Sequence, residues 1–118
     1  MTIHTVGDSH SLNGWWDGII IHHLGAILCY SFGKEIFNRC DIRSFDLKDG
    51  DSIIFCFGEI DCRCHVHKNI LPEKSYQQII DEIVNDYIHA IKANIESISQ
   101  ISLHLCTFKT PILRQVIF

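Results

Sequence analysis

Basic residues are in the minority in this chain, with 10 Lys and Arg against 14 Asp and Glu and a formal charge of −4. That balance provides no electrostatic footprint for nucleic acid or an anionic membrane surface, so neither is expected as a partner. Long apolar runs are lacking too. The stretch from Gly18 to Leu24 is broken by His22 and His23, whereas a bilayer span needs roughly 18 consecutive apolar residues or more. The opening residues, Met1 to Asp8, have neither the basic region nor the apolar core of a secretory signal. The expectation is a cytoplasmic chain whose six cysteines stay reduced and serve as small apolar core residues. Repeats, low-complexity tracts and linkers are absent as well, so the 118 residues are expected to form a single domain, 1–118.

What is there is an alternation of elements. Residues 2–7 alternate and are rich in β-branched side chains, which predicts a strand, and Asp8-Ser9-His10-Ser11 follows as a polar turn able to cap a helix. Residues 18–24 predict a short buried strand. After Gly25, residues 26–38 read as a helix with Ala26, Ile27, Tyr30, Ile36 and Phe37 on one face, although Gly33 weakens it. Asp46 to Asp51 is a solvated turn by composition and lacks the ligand spacing of a calcium loop. Ser52 to Phe57 is a nearly continuous apolar run, as in a strand covered on both faces.

The longest periodic segment is 76–97. There Ile79, Ile80, Ile83, Val84, Tyr87, Ile88, Ile91 and Ile95 recur at helical spacing, and Ser75 with Gln78 has the form of a capping box. Residues 101–106 predict a fourth strand. Strands alternating with helices argue for a parallel sheet with helices on both faces, and chemistry in such folds gathers at the carboxyl ends of the strands. Gly7–Ser11, Leu24–Ala26 and Gly58–His67 are therefore the segments to watch.

At the first strand end, Gly7-Asp8-Ser9 puts a serine at the start of a helix, where backbone N–H groups can stabilise an oxyanion. A plain N-cap is the competing reading. Gly-Asp-Ser after strand one, Gly25 after strand two and Gly58-Glu59-Ile60-Asp61 after strand three resemble, in order and placement, the SGNH (GDSL-like) hydrolase family. The resemblance implies a flavodoxin-like three-layer α/β/α sandwich with a parallel sheet. It also implies hydrolysis of an ester, such as a small acyl ester or an O-acetylated carbohydrate, without a cofactor. Carried over, Ser9 is the nucleophile beside Asp8, Gly25 the backbone oxyanion donor, and Gly58 with Asp61 frames the third block.

Two departures stand out. Ile60 occupies the place of the family's asparagine, whose loss as an oxyanion donor typically costs on the order of a hundredfold to a thousandfold in rate. Arg63 is the alternative cation at that strand end, or else a partner of Asp61 or Glu59. Further, no Asp-x-x-His follows residue 106, so the domain is expected to be truncated at its C-terminus and short of a general base. His65 or His67, beyond strand three, would have to serve; His10, next to the nucleophile, points elsewhere.

Other readings belong to other classes. One is a non-catalytic binding module using the same strand ends. Another is a small zinc module built on Cys62-x-Cys64-His65-x-His67, to be completed by His22-His23 only if the loops converge, although alternation along an extended segment would split its ligands. Trp15 and Trp16 would wall a pocket or pack the first helix on the sheet, packing being the reading adopted. An uncovered sheet edge would favour self-association.

Overall fold

The computed structural model describes residues 2–8, 15–58, 60–61 and 73–98, and the backbone of 104–107. The chain runs through strand β1 (Ile3–Gly7), strand β2 (Ile20–His23), helix α1 (Cys29–Glu35), two short 3₁₀ turns (Ile36–Asn38 and Ile42–Phe45), strand β3 (Ser52–Cys56), helix α2 (Tyr76–Glu96) and strand β4 (His104–Thr107). All three strand pairings are parallel, in the order β2-β1-β3-β4. The mixed α/β class read from the alternation holds. The helix expected directly after Asp8 lies outside the described residues.

Register explains which side chains enter the core. His4 pairs with Ile53 and Val6 with Phe55, and side chains alternate along a strand, so His4, Val6, Ile53 and Phe55 share one face. Val6, Ile53 and Phe55 are fully buried there, with Phe32 from α1 and Ile79, Ile83 and Tyr87 from α2. Phe32 stacks on Phe57 with ring centroids 4.8 Å apart, and Tyr87 meets both rings edge-on at 5.9 Å. Both helices cover this same face for a reason of handedness. The connections β2→β3 and β3→β4 run in the same direction across the sheet, and right-handed crossovers then fall on one side.

Helix α2 carries the capping box anticipated at its start. The Ser75 hydroxyl accepts from the Gln78 amide at 3.3 Å, and Gln78 returns a bond to the Ser75 amide at 2.7 Å. Its buried stripe differs in detail from the apolar pattern. Ile88 is exposed, whereas Ala90 and Asn94 are fully buried. The Asn94 side chain accepts from the Ile42 amide at 3.0 Å and donates to the Ala90 carbonyl at 3.1 Å. A polar residue thereby ties the 3₁₀ turn at Ile42 to α2, which apolar periodicity alone does not reveal.

Helix α1 is shorter than the 26–38 expected, and its face is rotated. Cys29, Phe32 and Gly33 are the buried residues, while Tyr30 and Phe37 are exposed. Gly33 is one of the places where α1 packs closely on α2: a Cβ there would lie 2.8 Å from the Asp86 Cβ and 3.3 Å from the Tyr87 amide nitrogen. Gly33→Ala should therefore destabilise the chain despite the better helix propensity of alanine. Overpacking against a backbone costs about 1–3 kcal/mol, against about 1 kcal/mol gained in propensity. Chemical denaturation should show a net loss.

The described cysteines Cys29, Cys40 and Cys56 are buried, as their reading as core residues anticipated. Burial, with the nearby Asp41 and Asp8 charges as smaller contributors, pushes the Cys40 and Cys56 thiols up to about 12. Two other expectations are corrected. Trp16 is 66% exposed, so it does not pack α-helical structure onto the sheet, although its ring meets Trp15 edge-on at 6.5 Å. The turn Asp46–Asp51 is solvated only in part, because Asp51 is buried.

Candidate functional site at the carboxyl ends of the strands

Strand order determines where a ligand crevice can open. From β1 the chain passes to β2 on one side, then returns across β1 to β3 on the other. Such a reversal leaves a crevice at the carboxyl ends of the two strands that flank it, here β1 and β3. Gly7-Asp8 stands on one flank and Phe57-Gly58 on the other.

Gly7 is required by the close approach of two strands. A Cβ at Gly7 would sit 2.0 Å from the Cys56 carbonyl oxygen and 2.8 Å from the Cys56 Cβ. The two backbones run on past the strands, and the Asp8 amide donates to that same Cys56 carbonyl at 3.1 Å. Asp8 itself is buried. Gly25, after β2, and Gly58, after β3, have φ of +87° and +114°, a region that side chains with a Cβ rarely adopt. Leu24 reaches back to the Gly7 carbonyl at 3.3 Å, so the Gly25 turn begins alongside Gly7.

Asp61 joins the second and third of these segments. Helix α1 starts after Leu28, which has no side chain able to cap it. Asp61 supplies the missing acceptors from across the fold. Its Oδ1 accepts from the Cys29 amide at 2.6 Å and its Oδ2 from the Tyr30 amide at 2.9 Å. A carboxylate on the first amides of a helix satisfies two orphan donors and complements the helix dipole. Asp61 is 1% exposed, so its carboxylate braces the loop after β2 instead of facing a ligand.

Of the residues singled out in the sequence, Asp8, Gly25, Gly58 and Asp61 are brought to this one edge of the sheet. Ser9, His10, Arg63, His65 and His67, together with Cys62 and Cys64, lie outside the described residues. Ile60 is half-buried beside Asp61. Among the described residues, no group of three or more His, Cys, Asp or Glu is arranged to hold a metal ion, and no helix is long and apolar enough to cross a membrane.

A second polar cluster, missed in the sequence, lies toward the opposite end of the strands. His4 is buried in β1, with its Nε2 3.1 Å from Asp51 Oδ2 and its Nδ1 2.9 Å from His22 Nε2. Asp51 also accepts from the amides of Thr2 and Lys48, each at 3.0 Å. These bonds hold its carboxyl below the usual range, the Lys48 amide contributing most. Phe45 stacks on His22 at 3.9 Å. The signal was a histidine on the Val6 face of β1 and an acid just ahead of β3, but their convergence depends on register.

The class these features define is a mixed α/β chain with a parallel four-stranded sheet and glycines at the carboxyl ends of its first three strands. Comparison with protein-family models, curated proteins and solved structures finds no match for this chain.

Proposed function

We propose that this chain is an SGNH-type ester-hydrolase domain, with a three-layer α/β/α architecture and its reaction centre at the β1/β3 crevice. The observation that carries the reading is the gathering of Gly7-Asp8, Gly25 and Gly58 at neighbouring strand ends, with Asp61 hydrogen-bonded to the helix that follows Gly25. These are the positions at which the family resemblance places the nucleophile turn, the backbone oxyanion donor and the third block.

In this reading the Ser9 hydroxyl attacks the carbonyl carbon of a small acyl ester or an O-acetylated carbohydrate. The Gly25 N–H stabilises the resulting oxyanion, with Arg63 as the cation in place of the asparagine that Ile60 displaces. His65 takes the serine proton and passes it to the departing alkoxide, which leaves as the alcohol, and water then releases the acid from the acyl-enzyme. No cofactor takes part. A second reading, a non-catalytic module that binds such a ligand at the same edge, is favoured by Ile60, which offers no side-chain donor to an oxyanion.

A fluorophosphonate probe followed by peptide mass spectrometry tests the proposal. The expected result is an adduct on Ser9, lost in Ser9→Ala and weakened at least tenfold in His65→Ala. Folded protein that forms no adduct would overturn the hydrolase reading in favour of the binding module.

A further inference from the structure

The cluster of Asp51, His4 and His22 has an internal logic that the crevice does not use. Asp51 accepts from two backbone amides, so its carboxylate acts toward His4 as an acceptor as well. His4 Nε2 therefore carries a hydrogen. The His4 and His22 rings are inclined by only 7°, with centroids 5.2 Å and nearest nitrogens 2.9 Å apart. Parallel rings stacked face to face cannot bring two nitrogens so close, so they meet edge to edge along an N–H···N bond. One hydrogen, and only one, fits between the two nitrogens.

We propose that Asp51, His4 and His22 form a pH-sensitive latch that holds the edge strand β2 to the sheet and opens in acid. With both rings neutral, His22 Nε2–H donates to His4 Nδ1, and His4 Nε2–H donates to Asp51. One added proton is accommodated at His22 Nδ1 without breaking the chain. A second puts a hydrogen on each of the two facing nitrogens, and the bridge is lost.

The charged groups around the latch do not relieve this. From the loop before β3, Lys48 offers Asp51 its backbone amide while its ammonium pairs with Asp46 at 3.0 Å. Arg43, on the turn that supplies Phe45, is held by Asp41 at 2.7 Å. His23 is on the other face of β2 by alternation, and Asp49 lies in the same loop as Asp51. Burial first and His4 second lower the His22 pKa, in keeping with a pair that resists full protonation.

The sign follows from proton counting. The latched pair binds at most one added proton, whereas once β2 lets go the bridging nitrogens no longer face each other, and His22 on the freed strand with His4 left in β1 together take up a second below about pH 6.5. Release therefore takes up protons, and latching is complete above that pH and lost as pH falls through it. Strand β2 is the element to let go. It is four residues long and exposed at Ile20, Ile21 and His23. Among the described strands it pairs with β1 alone. Its release would carry away the turn at Gly25.

Amide hydrogen exchange read by NMR, corrected for intrinsic rates, tests the latch on the intact chain. Between pH 7.5 and 5.5 the protection of the His22 and Leu24 amides should fall about tenfold, the change for one proton per unit below the pKa. The β3 amides of Ile54 and Phe55 should hold theirs. In His22→Gln, whose side-chain amide can still donate to His4 but does not titrate, the β2 loss should vanish. Equal loss across β2 and β3, a β2 loss that persists in the variant, or none in the wild type would each overturn the proposal. Nitrogen-15 shifts of the wild-type imidazoles give an independent reading. Both rings should be Nε2–H tautomers at pH 7.5, and an Nδ1–H tautomer at either would overturn it.

Discussion

Gly7→Ala should be the most damaging single substitution in the described structure. The added methyl would meet the Cys56 carbonyl oxygen at 2.0 Å and its carbon at 2.8 Å. These are backbone atoms of the neighbouring strand, which cannot rotate aside as a side chain tip would. Relief requires β1 and β3 to part where Gly7 pairs with Cys56, next to the fully buried Val6 and Phe55. Ordinary overpacking costs about 1–3 kcal/mol, and a clash with fixed backbone exceeds it, at about 4 kcal/mol or more. Against a total stability of about 5–15 kcal/mol, that leaves a large unfolded fraction in urea titrations. Gly25→Ala is the informative contrast. A Cβ there meets nothing within 4 Å, but φ is +87°, so the cost is backbone strain alone, about 1–2 kcal/mol. Comparable losses for the two variants would contradict the close-approach account of Gly7.

Asp61→Ala should come next. It strips both acceptors from the Cys29 and Tyr30 amides at a helix start where Leu28 offers no side-chain cap. Leaving a buried donor unsatisfied costs about 1–3 kcal/mol, more when the lost partner is charged. The expected destabilisation is about 3 kcal/mol, with Asp61→Asn milder because its one carbonyl oxygen can still accept. Denaturant midpoints rank the three proteins, and exchange of the Cys29 and Tyr30 amides locates the effect. If Asp61→Ala and Asp61→Asn unfolded alongside the wild type, the carboxylate would not be the cap of α1. In the proposed hydrolase both variants would also loosen the Gly25 loop, so adduct formation at Ser9 should slow even where the protein remains folded.

How far the fold can be read without coordinates depends on whether the deciding interaction is local. The capping box of Ser75 and Gln78 lies within one turn of helix, and the β3 run within one strand, so both were visible in the residues. The α1 face was not. Its apolar residues permit more than one rotation, and Phe32 and Gly33 face inward because α2 crosses there. Ile88 and Tyr30 went astray for the same reason: periodicity shows that a helix has an apolar side, while its neighbours decide how wide that side is. At the candidate site, the glycines and Asp61 were legible as a pattern. Their physical roles were not, since Gly7 answers to Cys56, 49 residues away in sequence, and Asp61 to the start of α1.

By itself, then, the sequence determined the alternation of strands and helices from β2 to β4, the start of α2, and the three glycine-marked strand ends, because propensity, capping and chain stiffness act over a few residues. Tertiary structure alone decided the order β2-β1-β3-β4, the placing of Asp61 on α1 and the meeting of His4, His22 and Asp51. Those depend on register and crossover, which bring together groups that share no local signal.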